Sequence, residues 1–330
     1  MRARPSAAFA RARAGGLRVL GLPLALALTR MQRRRDHRVG VALVYHSVDD
    51  PAGDPRRELV PPMDTSLFSA QVRHLCSHYR VVAASELLRA VQNRRRGESF
   101  PVTITFDDDL ATHVEVAGPI LEFAGATATF FLSGASLHAP YRFWWERLQA
   151  AVDQRLDLTP LGLGRTRGTT DIHELGCKIE ALQPKKRKRI EADLERIVGP
   201  DPADAGLRAE GVGRLSAAGV EIGFHTRRHD RLPPLDDDKL ARAMREGRSE
   251  IAEASGQPLT TISYPHGRAD ARVASAARAA GFEAGFTGRP ELVTAQSDPL
   301  LLGRLSPSYN SLGEFAFDVA WALLRATAQR

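Results

Sequence analysis

Residues 218–229 read Ala-Gly-Val-Glu-Ile-Gly-Phe-His-Thr-Arg-Arg-His, and the first half of that stretch decides the fold. A glycine after a helical segment supplies the left-handed cap, and a buried strand beginning at once is the αβ half of a βαβ unit. The same junction recurs at Ala124-Gly125, before an apolar run ending at Leu132, and at Ala280-Gly281, before a run ending at Phe286. Upstream, Val39 to Tyr45 and Val102 to Phe106 are apolar runs of strand length. Phe68, Val72 and Leu75 fall at helical spacing between Thr65 and His78, and Ser85 opens a further helix through Leu87, Leu88 and Val91. Thr112 with Glu115 reads as a capping box. Seven or eight strands alternating with helices predict an α/β architecture, a parallel sheet or barrel in one domain over residues 39–330.

Ahead of that domain lies a basic arm, residues 1–38, with ten Arg and one Asp. It carries the whole of the chain's formal charge of +7, because the remaining residues sum to −2. A basic nucleic-acid-binding body is therefore excluded, and no nucleic-acid partner is expected. The arm's apolar stretch, Leu17 to Leu28, is interrupted by Arg18 and Pro23 and is too short to span a bilayer. Three readings of the arm stay open: a weak signal peptide ending at Ala25-Leu26-Ala27, a segment lying on an anionic membrane surface, and a poorly ordered tail. A cytoplasmic or membrane-associated location is expected, with secretion as the alternative. Cys76 and Cys177 form no metal-binding or disulfide pattern.

Residues from about 138 to 205 break the strand–helix series and read as a helical insertion. Its basic run Lys185 to Arg189 is flanked by Glu180, Glu191, Asp193 and Glu195, the pattern of a solvated helix face. Phe143-Trp144-Trp145 at its start can anchor a helix on a core or form a wall against which a sugar stacks.

Chemistry concentrates at two strand ends. Asp107-Asp108-Asp109 follows the Val102–Phe106 run, and three adjacent carboxylates need a cation or solvent to relieve their repulsion. His225 and His229 follow the strand at 220–224, with the spacing that puts two imidazoles on one face of a helical turn. Two histidines and one carboxylate leave positions open for water and substrate, as in catalytic zinc sites. Loops at the C-terminal ends of parallel strands are where α/β folds keep their sites.

Several segments, in order, resemble the polysaccharide deacetylases of carbohydrate esterase family 4, over roughly residues 39–305. Asp107-Asp108 looks like the family's Asp pair, and His225–His229 looks like its metal-binding histidine segment. Ser263-Tyr264-Pro265-His266-Gly267 is similar to its Pro-Tyr-Gly motif. Tyr45-His46 resembles the early motif of poly-N-acetylglucosamine deacetylases. The resemblance implies a distorted (β/α)7 barrel and a metal-dependent hydrolase that removes N-acetyl groups from a carbohydrate substrate. Another acyl group, such as formyl, or a glycan-binding protein with a degenerate site are the alternatives.

Carried over, the resemblance gives Asp108, His225 and His229 as ligands of one divalent ion, preferentially zinc, with Asp107 as general base. The backbone N–H of His266 would face the oxyanion, and His46 would protonate the leaving amine in place of a C-terminal Leu-x-His, which is not found. Two departures stand out. Asp109 replaces the glycine that follows the Asp pair, where it could add repulsion and demand an unusual backbone. The arginine that buttresses the base is missing near Ser263, with Arg304 as the candidate substitute.

Overall fold

A computed structural model of the chain describes residues 7–50, 58–162 and 172–326. In chain order the elements begin with α1 (Ala7–Arg33), β1 (Val39–Tyr45), α2 (Thr65–His78), β2 (Arg80–Val81), α3 (Leu87–Asn93) and β3 (Pro101–Asp107). Then follow α4 (Gly118–Phe123), β4 (Thr129–Leu132), α5 (Trp144–Asp153), α6 (Ile172–Ala181), α7 (Pro184–Val198), α8 (Ala209–Ala217) and β5 (Glu221–Phe224). The chain continues through α9 (Asp237–Ala243), α10 (Arg248–Ser255), β6 (Thr261–Ser263) and α11 (Ala271–Ala279). It ends with β7 (Ala284–Phe286), β8 (Val293–Thr294) and α12 (Leu312–Ala326).

The sheet runs β7-β6-β5-β4-β3-β1-β8, parallel except for β8, with β2 beside the start of β3. Its open edges are joined by residues 302–305: Leu302 bridges to Phe286 of β7 and Leu305 to Leu43 of β1. With that segment as the seventh stave, the structure is a distorted (β/α)7 barrel. The predicted strands are all present, and β3 is buried at every position. Gly125, Gly219 and Gly281 each have positive φ (61°, 81° and 82°), the left-handed cap that turns a helix straight into a strand. The core inside the helices is aromatic at its centre, where Phe106 and Phe130 stack at 4.5 Å.

Two local expectations are corrected. Thr112 makes no side-chain cap; a π-helical turn over His113–Ala117 leads into α4 instead, and the Thr112 hydroxyl lies 3.4 Å from that of Ser47. The arm is not a tail over its described part. Leu17, Gly21, Ala25 and Thr29 form a buried stripe at four-residue spacing, small at its centre, that seats α1 along the neighbouring helices. Ala25 packs with Ala316 and Ala320 of α12, and a Cβ added at Gly21 would collide with the backbone of Gly313. Pro23 is accommodated inside the helix, on its exposed side. None of the described helices is long and apolar enough to cross a membrane.

The insertion is α5 to α7, with a small hydrophobic core of its own built on Trp144, Leu148, Leu175, Ile179 and Leu194.

Candidate active site

Parallel strands deliver their C-terminal ends to one rim, and the loops after β1, β3, β5 and β6 meet there. Four of the five described non-glycine residues with positive φ lie in these loops: Asp108 (75°), Thr226 (52°), His229 (46°) and His266 (57°). Such backbone persists only where surrounding contacts over-determine it, and it clusters at functional sites. For Asp108 the support is visible. His113 Nε2, fully buried, stands 3.1 Å from the Asp107 carbonyl and 3.0 Å from that of Asp108.

The turn after β5 is not helical. The His229 amide donates to the Thr226 carbonyl, and this tight turn, rather than a helix face, brings the two rings to 5.0 Å between centroids. Asp108 Oδ1 then lies 3.5 Å from His225 Nε2 and 3.6 Å from His229 Nε2. One ligand atom from each of the three residues falls within 4.8 Å of the others. Asp108 Oδ1 is buried and has no hydrogen-bond partner among the described residues. Burial, then the charges of Asp107 and Asp109, push the Asp108 carboxyl well above its ordinary pKa. His225 Nδ1 is 2.9 Å from the Ser263 carbonyl, which can only accept, so the ring proton sits on Nδ1 and Nε2 is left as a lone pair. Burial lowers the pKa of both imidazoles, which favours the neutral, ligating form. An orphaned carboxylate oxygen facing the Nε2 atoms of two imidazoles whose neutral form is favoured fits a divalent ion, with the mixed N and O set that suits zinc.

Asp107 is held differently. Arg304 sits on the stave that closes the barrel and grips it in a fork, Nη1 to Oδ1 and Nη2 to Oδ2, both at 2.7 Å. The same guanidinium donates to Thr105 Oγ1 and Ser263 Oγ, and Ser263 Oγ donates to Asp107 Oδ2 at 3.1 Å. Arg304 is therefore the buttress sought near Ser263; it arrives from the stave beyond β7 and donates to the serine hydroxyl at 2.8 Å. Burial opposes ionisation of Asp107, but Arg304 and the neighbouring histidines outweigh it and hold the carboxyl well below the usual range.

Asp109 does not act as a third active-site carboxylate. It accepts from the amides of Ser133, Gly134 and Ser136 and from the hydroxyls of Ser133 and Ser136, at 2.7–3.3 Å, pinning the loop after β4. The left-handed backbone falls at Asp108, so Asp109 needs no special conformation. Asp109→Gly should therefore destabilise the fold by about 3 kcal/mol or more, since buried donors lose a charged acceptor. A denaturant midpoint measures this; an unchanged midpoint with faster turnover would contradict it.

His46 follows β1 at the same rim, in electrostatic reach of Asp107, Arg304 and His225; burial lowers its pKa and Asp107 opposes that. The His266 ring centroid is 4.6 Å from that of His229, and its Nδ1 is 3.5 Å from Glu180 on α6. All six residues singled out in the sequence thus gather at one rim. The roles of His113, Glu180 and the donors around Asp109 carried no signal in the sequence, because each depends on a tertiary contact and not on a local pattern. The pair Trp144-Trp145 divides: Trp144 is buried in the insertion's core, while Trp145 stacks on Phe143 at 4.3 Å and approaches the His229 ring to 4.9 Å.

A family model, polysaccharide deacetylase, matches residues 94–285. No curated protein matches the chain in sequence. Among solved structures, the Streptococcus pyogenes deacetylase PplD in complex with acetate superposes with a TM-score of 0.58 at 17% identity, over 86% of this chain and 98% of that one. IcaB from Ammonifex degensii superposes at 0.56 with 16% identity, over 86% and 98%. The de-N-acetylase from Aggregatibacter actinomycetemcomitans gives 0.52 at 18% identity, over 81% and 94%. At these identities the likeness is one of fold.

Proposed function

The chain belongs to the polysaccharide deacetylase family and is a carbohydrate N-deacetylase, and from that premise we propose that it releases acetate from an N-acetylated sugar with one divalent ion held by Asp108, His225 and His229. The observation that carries the ion is the buried, unpartnered Asp108 Oδ1 between two imidazole nitrogens. Held there by Asp108, His225 and His229, a divalent ion would supply Lewis acidity toward the amide carbonyl and would lower the pKa of water toward neutrality.

The chain's own residues do the rest. Asp107 takes the proton of the attacking water, and Arg304 keeps it ionised and aimed for that task. Oδ1 keeps a lone pair beyond the fork, while the second lone pair of Oδ2 is taken by Ser263 Oγ. The backbone N–H of His266 stabilises the oxyanion, a role for which its left-handed backbone is consistent. His46 gives the leaving amine its proton. The test is acetate release by purified enzyme from N-acetylated oligosaccharides. Release of formate from N-formylated analogues, without acetate from N-acetylated ones, would replace the reading.

A location on an anionic membrane surface is part of this proposal. What supports it is the solvent side of α1, where Leu20 (59% exposed), Leu24 and Met31 form an apolar stripe beside Val19, bordered by exposed Arg18, Arg30 and Arg34.

A further inference from the structure

The helical insertion closes over the rim. Phe143 and Trp145 stack with their planes 6° apart, and their ring centroids lie 5.7 Å and 4.9 Å from that of His229. Glu180 of α6 reaches His266 after β6 at 3.5 Å and Arg231 after β5 at 2.8 Å. Arg187 of α7, itself 5% exposed, pairs with Asp230 at 3.4 Å. The insertion is thereby tied to two adjacent rim loops while its own core stays separate from the barrel's. Beneath it, the side chains of Asp107, Asp108 and His225 are 6%, 7% and 2% exposed, and that of His229 is 12%.

A polymer deacetylated along its length must cross the catalytic groups and leave on the far side, which needs a groove open at both ends. Here one side is roofed. Trp145, half-buried, stands beside His229 with the buried Phe143 stacked behind it, and an aromatic face is a flat apolar surface for the C–H face of a pyranose. We infer that the insertion is the specificity element of this enzyme: Trp145, backed by Phe143, forms a shelf that receives a single sugar ring, so that deacetylation falls on chain ends or short glycans and not on internal residues. The inference rests on the deacetylase reading of the site.

The experiment uses the full chain in two measurements. In the first, the metal-loaded enzyme is given N-acetylated glucosamine oligomers of graded length, and the position of each lost acetyl is mapped by mass spectrometry. Loss confined to a terminal residue is the expected result; loss from internal residues at equal rate overturns the inference and leaves the deacetylase reading intact. In the second, binding of the same oligomers to metal-free protein is measured by calorimetry. Trp145→Ala should bind about tenfold more weakly than wild type, the equivalent of ~1.4 kcal/mol, while Trp145→Phe keeps most of the affinity. Trp145→Leu, which retains packing against the insertion, replaces the alanine variant if that fails to fold. Equal affinity in all variants overturns the shelf. If no oligomer loses acetate but the binding difference holds, the reaction assigned to the site fails and the shelf stands.

Discussion

Asp107→Asn should lower acetate release by roughly 10³-fold, within the range of 10²–10⁴ that a positioned base contributes, in protein that stays folded. An amide cannot accept the water proton, yet it keeps the size of the carboxylate. Its oxygen can still take one guanidinium bond from Arg304, so the barrel rim should survive. The exchange removes one negative charge near the proposed ion but leaves the three metal-facing atoms of Asp108, His225 and His229 in place. Asp108→Asn is the informative control. It replaces the orphaned oxygen that needs the ion, and metal affinity should fall along with the rate. Equal metal loss in both variants would contradict the division of roles between these neighbours.

Arg304→Met is expected to be the most damaging single change to the fold. The guanidinium and the Asp107 carboxylate are 2% and 6% exposed, and five hydrogen bonds leave Arg304 for Thr105, Asp107, Ser263 and the Thr287 carbonyl. Removing one partner of a buried pair strands the other charge, at a cost of about 3–5 kcal/mol. The pH dependence has a definite sign. Asp107 in the wild type is held below its unfolded pKa, so its contribution is complete above the unfolded value near ~4 and is lost as pH falls towards the folded value. Without Arg304, burial governs and raises the folded pKa, so the variant is penalised at neutral pH and relieved by acid. Denaturant midpoints of metal-free proteins should therefore differ most near neutrality and converge below ~pH 4. A gap that is independent of pH would show that Arg304 acts through packing alone.

The fold and the grouping of the three candidate ligands were legible in the sequence for different reasons. The Ala-Gly junctions encode a backbone event, a left-handed cap followed by a strand, and local rules suffice to read it. Asp108, His225 and His229 were legible because each sits in a short pattern at a strand end. The helical turn expected between the two histidines was not, because left-handed φ at Thr226 and His229 is fixed by tertiary contacts. The role of Asp109 was hidden for a similar reason. Its five donors come from a loop more than twenty residues away, and only the parallel pairing of β3 with β4 brings them together. Arg304 could be named as a candidate, but its grip on Asp107 depends on residues 302–305 closing the barrel through single bridges, too short for any strand pattern. The arm misled because the middle of its buried face is Gly21 and Ala25, which carry little hydropathy, while Val19, Leu20, Leu24 and Met31 point to solvent.

The most direct test of the account is the metal content of purified protein by elemental analysis. Wild type should hold one divalent ion per chain, zinc when zinc is supplied, and His225→Ala combined with His229→Ala should hold none while its circular dichroism is retained. Wild type without a bound ion under zinc-replete conditions, or a double variant with unchanged stoichiometry, would contradict it.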